Sequence, residues 1–237
     1  MYLDSTTIML LAGAAVTLLA SGFLHWTYNK YKFKPNNNGY TGCEVAEMIL
    51  RAECADYVGV SMTSGELTDH YDPRTKSVCL SQSVYNMHSI AAVAVAAHEC
   101  GHAIQHKEQY APLLFRSALV PYANLGSKLG IPIILLGWYF GLDFNLPSGG
   151  VFSVSQLGIM IFSIAILFQI ITLPVEIDAS NRALVILAKE NILDGSELKG
   201  ARRMLTAAAL TYVAAAASAV LQLLRIILLN GGRRSRR

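Results

Sequence analysis

Charge is scarce in this chain. Asp, Glu, Lys and Arg make up 15% of its 237 residues, against 53% that are hydrophobic. A soluble domain carries about 25% charged residues, so a wholly water-exposed globule is excluded. Proline is sparse too, at 7 residues, and the 18 glycines follow no period, which excludes collagen-like and low-complexity chains. Four cysteines, none in a C-x-x-C pair, are too few for a disulfide scaffold. The net charge of +3 is small, and 4 of the 19 basic residues sit in the tail at Arg233, Arg234, Arg236 and Arg237. No nucleic-acid partner is expected from that balance.

What the chain holds in excess is long apolar runs, at 7–25, 125–142, 151–175 and 204–224. About 20 mostly apolar helical residues span the hydrocarbon core. The expected fold is therefore a mainly α membrane protein with about four hydrophobic helices. The first run has Asp4 before it and continues past a cleavable length, so it reads as a retained anchor, with a signal peptide as the alternative. Lys30, Lys32 and Lys34 follow the first run, and Arg182, Lys189, Lys199, Arg202 and Arg203 lie between the third and fourth, whereas 143–150 holds no Lys or Arg. The bias towards cytoplasmic Lys and Arg places 26–124 and 176–203 in the cytoplasm and makes a hairpin of the second and third runs. If the fourth run spans, the basic tail ends up outside. Alternatively 204–229 re-enters or lies along the surface, keeping the tail on anionic lipid.

These runs divide the chain into an anchor (1–29), a catalytic segment (30–124), a transmembrane hairpin (125–175), a second cytoplasmic segment (176–203) and a C-terminal hydrophobic helix with its tail (204–237). In the polar segment, Thr41 stands three residues before Glu44, a capping-box spacing. A strand is expected at 58–62, an extended piece at 66–71, a turn at 72–76 and a partner strand at 77–80. One helix is expected over 83–107. Its apolar stretch, 90–97, is too short to span and reads as a buried core helix. Cys43, Cys54, Cys79 and Cys100 fall where thiols stay reduced.

His98-Glu99-Cys100-Gly101-His102 is H-E-x-x-H. On a helix, residues four apart share a face, so both imidazoles can reach one ion. Zn²⁺ suits such donors, and a catalytic site takes three protein ligands and keeps a position for water. Glu99 is the candidate general base and acid. For the third ligand, His106 lies a further turn along, about 6 Å of rise, and Glu108 lacks the glycine turn its spacing requires, because Gln105 holds that place. The remaining candidates are the acids of Glu176-Ile177-Asp178, next to the end of the third run, where acids are costly without partners.

At these residues the sequence resembles a family. L-T-D-H-Y-D-P (67–73), the L-S at 80–81, S-I-A-A-V-A-V-A-A-H-E-C-G-H-A-I-Q (89–105) and L-P-V-E-I-D-A-S-N-R-A (173–183) are similar to the YugP-type neutral zinc metallopeptidases of bacterial membranes. More distantly, the chain resembles the HtpX-type and CAAX-prenyl membrane endopeptidases, whose H-E-x-x-H is completed by the Glu of an E-x-x-A-D motif. That match puts the third zinc ligand on Glu176 and the small residue on Ala179. Ser180 stands where those relatives have Asp, and Asp178 is the expected substitute support for a ligand histidine.

The resemblance further implies one zinc per chain and a small zincin-like α+β unit with a short sheet. In that unit Ser77, Val78, Cys79 and Leu80 form the edge strand that takes an extended substrate. A transition-state donor is also implied, with His70, Tyr71 and Arg182 as candidates. The expected protein is thus a multi-pass zinc endopeptidase of a bacterial plasma membrane. Its site faces the cytoplasm, and it acts on membrane or membrane-proximal proteins. Lipid and a protein or peptide substrate are its expected partners, with an oligomer or adaptor left open.

Two rivals stand beside this reading. A site-2-type intramembrane metalloprotease also uses H-E-x-x-H with a downstream L-D-G, found here at Leu193-Asp194-Gly195. Charged neighbours keep that triplet out of hydrocarbon, and it reads better as a helix end followed by a new N-cap. The other rival is a metal-binding membrane scaffold without turnover.

Overall fold

The computed structural model describes residues 5–145 and 151–234. Asp4, the 146–150 part of the expected outer loop, and Arg236 and Arg237 of the basic tail lie outside the described residues. The elements run α1 (Ser5–Lys32), α2 (Gly42–Ala52), β1 (Gly59–Thr63), β2 (His70–Asp72), β3 (Ser77–Ser81), α3 (Gln82–Tyr85), α4 (Ile90–Lys107), α5 (Ala111–Phe140), β4 (Asp143–Asn145), β5 (Val151–Ser153), α6 (Val154–Lys189) and α7 (Gly195–Arg234). The mainly α architecture matches the expectation. Helices α1, α5, α6 and α7 are each long and apolar enough to cross a membrane. Two compact units result: Met1–Leu19 with Phe115–Thr172 and Tyr212–Arg237, and Ala20–Leu114 with Leu173–Thr211.

In the first unit α5 and α6 pack against each other. A Cβ on Gly158 would come within 2.7 Å of the Ile134 amide nitrogen, so only glycine allows this approach. Asn230 of α7 accepts from Trp138 Nε1 (3.0 Å) and from Ser155 Oγ (2.8 Å), satisfying polar groups among apolar helices. Large apolar side chains such as Phe115, Tyr139 and Leu228 face outward. Water would make so extensive an apolar surface costly, and lipid would not. Pro121 and Pro132 lie inside α5, which such helices tolerate.

The second unit has its own core. Thirteen residues of the eighteen in α4 are buried, so it is a core helix rather than a span. Its alanines share one buried core with Val45 and Ile49 of α2, Leu187 of α6 and Met204 of α7. Helix α2 starts on the expected capping box: Thr41 Oγ1 accepts from Glu44 N at 3.2 Å, and Thr41 N donates to Glu44 Oε2 at 2.8 Å. At the other end, Asp194 Oδ1 accepts from the backbone nitrogens of Ser196 and Glu197 (both 3.0 Å), so Leu193-Asp194-Gly195 is the start of α7.

Two expectations need correction. The single helix over 83–107 is broken between α3 and α4. Ser89 caps α4 by accepting from Ala92 N, and the chain at 34–36 claims the intervening backbone: Asn36 N donates to His88 O, and Ile90 N donates to Lys34 O. Local propensity favours one helix there, but these non-local hydrogen bonds outweigh it. The strand Ser77, Val78, Cys79, Leu80 is also no free edge. In the order β1-β3-β2 it is central, parallel to β1 (Gly59 opposite Ser77) and antiparallel to β2 (His70 opposite Cys79). Val78 and Leu80 point into the core, and both rows of backbone groups on β3 are already paired. The outer strands are β1 and β2.

Candidate metal centre

His98 and His102 lie one turn apart on α4, and their ring centroids are 4.7 Å apart. Glu176 comes from α6, which runs unbroken through Pro174. Gly101 permits the meeting of the two helices: a Cβ there would lie 2.6 Å from the Ala179 carbonyl oxygen, and Ala179 is one turn beyond Glu176. Glu176 Oε2 is 3.3 Å from His98 Nε2 and 3.6 Å from His102 Nε2. One ligand atom from each of the three residues lies within 4.8 Å of the other two. Among the described residues this is the one cluster of His, Cys, Asp or Glu so arranged.

The electrostatics suit a cation. Burial works against charge on His102, but hydrogen bonding to Glu176 and the negative charge of Glu99 and Glu176 outweigh it and raise the imidazole above its usual value. Glu99 itself is buried, at 8% exposure. Two carboxylates against two imidazoles in a water-poor site form a place where positive charge is stabilised. Two histidines and one glutamate are also a donor set of catalytic zinc, so the residues present fit that ion.

Around the cluster, Ser180 Oγ meets His98 Nδ1 at 3.2 Å. Ser180, rather than Asp178, thus meets His98 directly. Gln105, with no exposed surface, links His102 Nδ1 (3.0 Å) to the Val175 carbonyl and Asp178 Oδ2 (both 2.8 Å). Asp178 therefore reaches a histidine only through this amide. Arg182 donates to Asp178 (2.6 Å) and Glu108 (2.6 Å) and lies over the Tyr110 ring. Tyr71 hydrogen-bonds His106 Nδ1 at 2.8 Å, and burial pushes its hydroxyl up to about 12, so the phenol stays protonated. His70 is exposed and its Nδ1 meets Thr68 O. Gln105 was not read as a site feature from the sequence, which offered Tyr71 and His106 as separate candidates but not as a pair. The available signal for Gln105 was a polar residue three positions after His102 and seven after His98, and so on the helix face the two histidines share.

A mainly α membrane protein with two histidines and one glutamate placed where they could hold a metal ion is the class that fold and site define together. The chain belongs to the family described as "Putative neutral zinc metallopeptidase", which it matches over residues 6–231. It is 40% identical over 225 residues to "Putative membrane protease YugP" of Bacillus subtilis (strain 168), an overlap covering 91% of this chain and 96% of that relative. No solved structure matches it. With its four apolar helices, the chain is a multi-pass membrane protein.

Proposed function

We propose that this protein is a zinc-dependent endopeptidase of the H-E-x-x-H plus glutamate type, acting on membrane or membrane-proximal proteins. The meeting of His98, His102 and Glu176 within 4.8 Å, with Glu176 74 or more residues beyond the two histidines in the chain, carries the reading. These three would hold one zinc. Bound there, zinc supplies Lewis acidity, which lowers the pKa of water towards neutrality and polarises a carbonyl.

The remaining chemistry belongs to the chain. Glu99, next to the first histidine and shielded from solvent, accepts a proton from the attacking water and delivers it to the departing amine. A scaffold site gains nothing from a buried base in that position, and burying it without a partner is costly. Asp194 is taken up in capping α7, which argues against the site-2-type alternative.

Helix length supports a site close to the bilayer. Glu176 lies 22 residues beyond Val154, the start of α6, which is about 33 Å of rise against a hydrocarbon core of about 30 Å. The Lys and Arg bias puts that end on the cytoplasmic side. Substrates reaching the site are then membrane proteins or unfolded segments next to the membrane. Zinc per chain in detergent-purified wild type and Glu176→Ala, with peptide cleavage by wild type and Glu99→Gln, tests this. The expected result is one zinc lost in Glu176→Ala, and zinc retained without turnover in Glu99→Gln. Equal cleavage by wild type and Glu99→Gln would end the enzyme reading. Soluble peptides cut as fast as membrane substrates would end the membrane-substrate part.

A further inference from the structure

We propose that Gln105 is a positioning residue that fixes a proton on His102 Nδ1, so that Nε2 is the nitrogen left to the metal whenever the imidazole is neutral. The inference rests on the zinc reading above and extends it to the residue that prepares one of the ligands.

Donor and acceptor chemistry leaves one solution. The Val175 carbonyl can only accept. The Asp178 carboxylate, paired with Arg182, also only accepts. Gln105 places one end of its amide 2.8 Å from both, so that end must be the NH₂ group. The reversed amide would set three oxygens against one another inside a buried site. The Gln105 oxygen therefore faces His102 Nδ1 at 3.0 Å. An amide oxygen cannot donate, so Nδ1 must carry the proton. A neutral imidazole has one N–H, which leaves Nε2 with a free lone pair, and Nε2 is the atom 3.6 Å from Glu176 Oε2.

Burial makes this arrangement stringent. Gln105 has no exposed surface, so water cannot replace a lost partner, and each unmade hydrogen bond carries its full desolvation cost. The anchor is itself held: Arg182 ties Asp178 to Glu108, the residue that ends α4. The two histidines are thus supported unequally. His98 Nδ1 meets the Ser180 hydroxyl at 3.2 Å, which can donate or accept and imposes no tautomer. His102 is preset, and His98 adapts.

The test uses the full-length protein in detergent, labelled with ¹⁵N-histidine, stripped of metal and held at a pH where imidazoles are neutral. Long-range ¹⁵N–¹H spectra report the tautomer, with His102 assigned by comparison with His102→Gln. The expected wild-type signature is Nδ1–H, the less favoured form of free histidine, and Gln105→Met returns His102 towards Nε2–H. Zinc affinity by chelator competition should fall about 10- to 100-fold in Gln105→Met and less in Ser180→Ala. The metal-free melting temperature separates a structural role. Lower stability with zinc affinity within about twofold of wild type overturns the proposal, as does wild-type His102 protonated at Nε2. If Gln105→Met does not fold, the wild-type spectrum alone decides. A wild type that binds no zinc refutes the proposed function, while the tautomer result still judges Gln105.

Discussion

Glycine to alanine inside a helix normally stabilises a protein by about 0.5–1 kcal/mol, because alanine loses less conformational entropy on folding. At Gly101 the opposite is expected. The added Cβ would sit 2.6 Å from the Ala179 carbonyl oxygen and 3.2 Å from the Ala179 Cα and carbonyl carbon, all of them backbone atoms of α6. Ordinary contact starts near 3.4 Å, so α6 must retreat by about 0.8 Å. Overpacking of this kind costs about 1–3 kcal/mol, enough to cancel or exceed the helix gain. The larger effect falls on the metal centre. Glu176 lies on α6 one turn from Ala179, and a site loses function when its groups move by more than about 0.5 Å. Zinc affinity in Gly101→Ala should drop about 10- to 100-fold, or about 1.4–2.7 kcal/mol, measured by chelator competition on detergent-purified protein. Gly22→Ala is the control, because nothing lies within 4 Å of its new Cβ. It should leave zinc affinity unchanged. A Gly101→Ala protein that binds zinc as wild type and melts no lower would refute close approach of α4 and α6 as the source of the site.

Metal removal should show as lost stability. A ligand at about 100 times its Kd stabilises the folded state by about 2.7 kcal/mol, so a chelator should lower the melting temperature of wild type and leave that of Glu176→Ala unmoved. Thr41→Ala removes the side-chain half of the capping box on α2, leaving only the backbone N–H of residue 41 on Glu44, and should cost about 1 kcal/mol, read as a lower melting temperature with zinc affinity intact. The same box gives a pH dependence. The Thr41 backbone N–H, with its hydroxyl, holds the Glu44 carboxyl below the usual carboxylate value. Its contribution is therefore present above that usual value and is lost as the pH falls through the lowered one. Glu44→Gln, which has no carboxyl to protonate, should show a shallower loss of stability on acidification than wild type.

The elements whose cause is short-range were legible in the residues alone. Apolar runs of membrane length, the Thr41–Glu44 box, the Asp194 cap before α7 and the shared face of His98 and His102 each depend on spacings of a few residues, or on one continuous run. The α3/α4 break was not legible, because Ser89 and its neighbours are claimed by backbone at 34–36. Nor was the central place of β3, since strand order depends on where β1 arrives after α2.

The centre divides in the same way. H-E-x-x-H and the acids at 176 and 178 are visible as residues, but which acid meets the histidines depends on two helices touching at Gly101 and Ala179. Gln105 looks like an unremarkable polar residue until Val175 and Asp178 are brought against its amide. Helical periodicity and caps act over one or two turns, and so can be read from neighbouring letters. A metal centre assembled from positions more than 70 residues apart exists only once the chain has packed.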